Sequence, residues 1–177
     1  MITIENFIKK DYPKDSDDLL AISEQIWKLG DLEEIERKVS AELFVLHIAI
    51  NVVGNWQGDG WHGIVRDQAV LIPYITQTLD KLDLQEIKEA FQEVISMFPE
   101  FTRFVDDKLY CDIINFITNT RCKVNDERLN QYSEEERSRI SKEYHEKMEK
   151  LEEISEEQWS YNAPKEGWEP ILNYIKF

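Results

Sequence analysis

The chain has 177 residues, room for one domain with a well-buried apolar core. Hydrophobic residues make up 42% and charged residues 32%, which excludes a disordered chain, and six glycines and five prolines are too few for a turn-dense all-β fold. Lys and Arg number 21 against 36 Asp and Glu, a formal charge of −15, so repulsion disfavours direct binding to nucleic acid or an anionic membrane and the balance favours a basic partner protein.

The first ten residues contain no basic stretch followed by an apolar run, so no signal peptide is expected. The longest apolar run, residues 43–53, is interrupted by His47 and Asn51 and falls well short of the roughly 18 residues of a membrane span. Cys111 and Cys122 form neither a disulfide framework nor a zinc motif, and two reduced thiols of a cytoplasmic protein are expected.

In chain order, Leu19, Leu20, Ile22, Ile26, Trp27 and Leu29 share one broad face, which predicts a first helix over 17–29 stopped by Gly30. A second helix is predicted over 32–53. Its first half is amphipathic and its second half apolar nearly all round, as in a central buried helix; a buried strand is the alternative for that β-branched run. Residues 54–63 hold four of the six glycines and are expected to form a loop between helices. A third helix over 64–82 contains Pro73, which predicts a kink. Asp83-Leu84-Gln85-Glu86 has the pattern of a capping box opening a fourth helix through Phe98, closed by Pro99. The spacing of Phe101, Phe104, Val105, Leu109, Ile113, Phe116 and Ile117 predicts a helix over 101–119.

Ser133-Glu134-Glu135-Glu136 matches a capping box and opens a long polar helix over 134–155. Its apolar stripe (Ile140, Tyr144, Met148, Leu151, Ile154) is thin, so partial projection from the body is expected. The pairs Glu135/Arg139, Glu143/Lys147 and Glu146/Lys150 stand four apart in the favourable order. The tail, 159–177, is rich in aromatic and aliphatic residues and is expected to dock on the body. The elements describe a single all-α domain of six or seven helices with a glycine-rich loop and one long charged helix.

No two of the three histidines stand three or four residues apart and no His-Glu-x-x-His pattern occurs, so no metal and no cofactor is expected. His47 fits a hydrogen-bonded core position and His145 a solvated one, while His62, beside Trp61 in the glycine segment, is the only one with a site-like setting. No nucleophile or orienting acid is fixed by the sequence, so no catalytic residue is assigned. Two readings fit Trp56, Asp59, Trp61 and His62: the glycines let both tryptophans fold back onto neighbouring helices, or one Trp stands exposed as an interface anchor. A single carboxylate, Asp59, is not a cation site.

From Glu134 to Glu157 there are ten glutamates and five basic residues. A solvated helix laced by ion pairs explains that pattern, and so does imitation of a polyanion. Carboxylates three or four apart on a helix lie about 5–6 Å from one another, the order of the phosphate spacing along a strand of DNA. The cluster Glu149, Glu152, Glu153 and Glu156 lacks a full set of basic partners. Asp17, Asp18, Glu33, Glu34 and Glu36 on the early helices are the competing acidic surface.

Four segments carry a family resemblance: Ala41-Glu42-Leu43, Ile50 to Asn55, Asp59-Gly60-Trp61-His62-Gly63-Ile64, and Leu79 to Leu84, followed late in the chain by Glu156-Glu157-Gln158-Trp159 and Leu172-Asn173-Tyr174-Ile175. In this order of apolar helix, glycine turn, Leu-rich helix end and closing Tyr-Ile, the chain resembles a family of small acidic bacterial proteins typed by a DNA mimic. The family's usual Asn-Gly-Gly-Phe turn is replaced here by Asp59-Gly60-Trp61. The resemblance implies an all-α fold, no catalysis and an acidic surface. Together these features predict a non-enzymatic interaction protein that offers carboxylates to the basic DNA-binding surface of a regulator. The alternatives are an immunity protein that neutralises a basic toxin such as a nuclease, and a small-molecule binder at Trp56–His62.

Overall fold

A computed structural model describes residues 1–176 as eight α-helices joined by short 3-10 turns. They are α1 (Ser16–Trp27), α2 (Leu32–Lys38), α3 (Ala41–Asp67), α4 (Ile72–Lys81), α5 (Gln85–Ile95), α6 (Lys108–Thr118), α7 (Glu134–Trp159) and α8 (Glu169–Tyr174). Among the described residues there is no β-strand beyond two isolated bridges, and no helix is long and apolar enough to cross a membrane. The all-α expectation therefore holds, with one or two more helices than the periodicity predicts.

Local chemistry sets most helix starts. The backbone N–H groups of Asp18, Glu34, Leu43, Tyr110 and Glu136 donate to the side chains of Asp15, Asp31, Ser40, Asp107 and Ser133, each satisfying a donor that the first turn leaves free. At Ser133 the box closes in both directions: Ser133 N–H donates to Glu136 Oε2 at 2.8 Å, and Glu136 N–H donates to Ser133 Oγ at 3.2 Å. Bonds from the Ser133 N–H and hydroxyl to its ionised form hold the Glu136 carboxyl below its usual range.

Several boundaries differ from the sequence expectation. The helix expected over 32–53 is two helices, because Val39 is extended (φ −111°, ψ 164°) and Ser40 caps a new start. Residue Ile2 bridges the break, donating to Lys38 O and accepting from Ser40 N–H. The helical alternative is correct for 43–53, and α3 is the central element, packed against α1, α2, α4, α7 and α8. Pro73 does not kink a helix; it occupies the first turn of α4, where no N–H is needed. Asp83 makes no capping box: it takes a left-handed conformation (φ 59°), and Leu84 stands at the N-cap without a side-chain bond. The helices around Pro99 and Phe101 are shorter than predicted, since α5 ends at Ile95 and α6 waits for the Asp107 cap.

Helix α7 does not project. It packs against α5, α6 and α3, and its buried stripe runs through Tyr144, Met148, Leu151 and Ser155 to Trp159, one turn beyond the predicted end. Arg137 anchors its start: the guanidinium donates to the carbonyls of Asn115, Phe116, Asn119 and Cys122 at 2.8–3.1 Å, capping the C-terminal end of α6. The tail docks as expected, with Trp168, Ile171, Leu172 and Ile175 buried in the same apolar cluster as α3.

Candidate interaction surface

The segment 54–63 is not a loop. Gly54 and Gly58 continue α3, and the helical path is broken only at Gly60 (φ 65°, ψ −172°), a conformation open to glycine and strained for other residues. The helix restarts at Trp61. Each helical glycine costs about 1 kcal/mol relative to alanine, and burial of Trp56 and Trp61 outweighs that. Trp61 is fully buried, packed at a tilt against Phe91 and Trp159, with its indole N–H donating to Ser155 Oγ at 2.7 Å. Trp56 packs edge-on against Trp159. The tryptophans thus fold back onto neighbouring helices, and the expectation of an exposed Trp anchor is overturned, because both rings are buried.

Glu152 of α7 is the third member of this contact. One carboxylate oxygen accepts from Trp61 N–H at 2.6 Å and the other from the Trp56 indole at 2.7 Å. It caps the restarted half of α3 from outside, at the spot where a Cβ on Gly60 would lie 2.7 Å from its oxygen. Glu152 is therefore not a free surface carboxylate, which corrects its place in the predicted acidic cluster. Asp59 and His62 are exposed. The His62 ring lies 6.0 Å from that of His145, and burial lowers its pKa, opposed by the nearby Glu152 charge. His145 is exposed as expected, with Nδ1 against Ser141 O at 2.7 Å.

The remaining acids of α7 do face solvent. Glu149, Glu153, Glu156 and Glu157 are all exposed. Between Lys150 and Lys165 the chain carries four glutamates and no basic residue. Glu149/Glu153, Glu152/Glu156 and Glu153/Glu157 are like-charge pairs four apart, and no basic residue lies in the last turn. Both features oppose helix stability: such pairs cost about 0.2–0.5 kcal/mol each, and the helix macrodipole disfavours anions at its C-terminal end.

Only the N-terminal part of α7 shows the expected lacing, and only in part. Glu143 pairs with Lys147 at 3.6 Å, but Lys150 reaches across to Glu93 of α5 at 3.7 Å, and Glu146 pairs with Lys142 instead. No ion pair joins Glu135 to Arg139 among the described residues. Because α5 runs antiparallel to α7, its N-terminal end meets the acidic end of α7. Asp83, Glu86 and Glu157 converge there around a shallow cavity of about 380 Å³. Sequence reasoning missed Asp83, Glu86 and Glu157, since only the packing of α5 on α7 brings them together.

The early acids sit elsewhere and are partly committed. Asp18 accepts from Lys14 N–H at 3.0 Å, Glu34 pairs with Lys38 at 3.7 Å, and Glu36 accepts from the Tyr74 hydroxyl at 3.4 Å. Burial first, and Glu36 second, raise the Tyr74 pKa. Asp17 and Glu33 are exposed. Cys111 and Cys122 are free. Among the described residues no three His, Cys, Asp or Glu side chains are grouped to hold a metal ion. A chelator is accordingly expected to leave the melting temperature unchanged, and a drop of several degrees in a thermal scan would expose a missed site.

No family model, curated protein or solved structure matches this chain.

Proposed function

We propose that the protein is a non-enzymatic binding protein that presents the acidic end of α7 and α5 to a basic protein surface, in the manner of a DNA mimic. The observation that carries this reading is the charge arrangement on α7: exposed carboxylates stand in mutually repulsive positions and at the wrong end of the helix dipole, with no basic residue to relieve them. A helix selected for stability alone would place Lys or Arg there. A surface that is locally unfavourable in the free protein is relieved when a basic partner docks, and electrostatic steering speeds that encounter. The carboxylate spacing on one helix face suits a groove built for phosphates.

The test compares the natural chain with a variant in which Glu149, Glu153, Glu156 and Glu157 are all changed to Gln. Glu152 is left intact because it is bonded to both tryptophans. The variant is expected to melt at the same temperature or slightly higher, since repulsion is removed. Used as bait in a low-salt extract of the source cell, the natural chain is expected to retain a basic DNA-binding protein that high salt or duplex DNA releases, and the variant to retain it at least about tenfold less. Equal capture by both baits removes α7 from the proposal. A captured basic nuclease toxin selects the immunity reading in place of the regulator.

A further inference from the structure

The positive charge of this chain is not spread evenly. A cleft of about 710 Å³ opens between the 8–14 turn and α8, and five lysines line it: Lys9, Lys10, Lys14, Lys165 and Lys176. Only two acids, Asp11 and Glu169, share the rim. In a chain of net charge −15 this is a local excess of base. All five lysines are exposed, and none has a carboxylate within ion-pair distance among the described residues. Five ammonium groups gathered around two carboxylates, none of them in an ion pair among the described residues, repel one another.

A second observation falls at the same place. Asp11 (φ 67°) and Lys165 (φ 53°) both hold left-handed backbone conformations, which neither residue type favours as glycine does. Strain of this kind persists where surrounding structure and function maintain it. Both residues stand in the lining of the cleft. The floor between them is apolar, made by Ile8, Leu172 and Ile175, with Tyr12 at the side.

We infer that this cleft binds a small organic polyanion of the nucleoside polyphosphate class, with the phosphates among the lysines and the base against Tyr12 and the apolar floor. The volume lies within the roughly 300–1,000 Å³ of small-molecule sites. An extended nucleic acid is disfavoured because its footprint would run onto the surrounding carboxylates, whereas a ligand confined to the cleft feels mainly charges within the Debye length of about 8 Å. The site is independent of the acidic face of α7 and α5.

Isothermal titration of the full chain at an ionic strength of about 0.15 M, in EDTA, with ATP, inorganic tripolyphosphate and adenosine tests this. ATP is expected to bind in the micromolar range, tripolyphosphate several-fold more weakly, and adenosine not measurably. The combined Lys10→Glu, Lys14→Glu and Lys165→Glu variant is expected to lose at least about tenfold in ATP affinity, and a Lys→Gln set gives the same direction with less perturbation of charge. A separate Lys165→Gly variant relieves the strained backbone, so its melting temperature rises while ATP binding weakens. Absence of ATP binding at about 1 mM, or binding that the lysine variants leave intact, overturns the site. Tripolyphosphate binding as tight as that of ATP overturns the nucleoside part and leaves a polyphosphate site.

Discussion

Changing Glu152 to alanine is expected to destabilise the protein by about 2–4 kcal/mol, although the residue lies on the most acidic helix of an acidic chain. Its carboxylate accepts from the backbone N–H of Trp61 at 2.6 Å and from the indole of Trp56 at 2.7 Å. Hydrogen bonds to a charged acceptor contribute about 1.5–3 kcal/mol each, and partial exposure of Glu152 places these near the lower end. Removal leaves two donors without partners, one of them at the start of the half-helix that carries Trp61 into the core. For a domain of this size the loss lowers the melting temperature by roughly 5–12 °C. Gln at 152 keeps one good acceptor for two donors and should fall between. Thermal melts of the Glu152→Ala and Glu152→Gln variants beside the Glu149, Glu153, Glu156 and Glu157 set separate the two roles of acid on α7. A Glu152→Ala variant that melts like the natural chain would show the carboxylate to be one more solvated charge.

That contrast explains what was legible in the sequence. The stripe from Ile140 to Leu151 and the Ser133 box are local patterns, and both persist in α7. The caps at Asp15, Asp31, Ser40 and Asp107 are equally local, yet only pattern plus context identifies them: Asp83 offers the same chemistry and adopts a left-handed turn instead. Glycine density over 54–63 reads as a loop because propensity counts against helix at each position. The deciding energy is non-local: burial of Trp56 and Trp61, the bond to Ser155, and the cap from Glu152, 91 residues further on. Arg137 is likewise unreadable, since its four carbonyl acceptors come from 15 to 22 residues earlier and no spacing rule connects them. The acidic excess was legible in composition. Its separation into a repulsive face at the end of α7 and a lysine-lined cleft by α8 belongs to the packing.

The second large effect is a loss of stability on mild acidification, centred on His47. The ring is fully buried, and its expected role as a hydrogen-bonded core residue is what the structure contains. Asn51 Nδ2 donates to Ser23 Oγ at 2.9 Å, and Trp27 Nε1 donates to Asn51 Oδ1 at 3.0 Å. The Ser23 hydroxyl stands 3.1 Å from His47 Nδ1, close enough for a hydrogen bond in either direction. Nε2 has no partner. No carboxylate takes part in this network, so nothing offsets the desolvation of an imidazolium, and burial pushes the His47 pKa down from 6.5 to about 4. Between those values the unfolded chain binds a proton that the folded chain refuses. Stability from this group is therefore complete above about pH 6.5, declines as pH falls towards 4, and declines no further below that. At about 1.4 kcal/mol per pH unit the loss between pH 7 and pH 5 is about 2 kcal/mol, and by pH 4 about 3 kcal/mol. His62, lowered in the same direction, adds to the slope of the natural chain and remains in any His47 variant. The measurement is thus a difference: urea unfolding of the natural chain and of His47→Gln at pH 7 and pH 5, where Gln can still hydrogen-bond with Ser23 but does not titrate. The variant starts less stable, because the site was shaped for an imidazole, and its stability should fall between the two pH values by about 2 kcal/mol less than that of the natural chain. Parallel pH profiles for the two proteins would mean that the folded protein accommodates the charged ring, and the buried Ser23–His47–Asn51 network would have to admit a proton without loss.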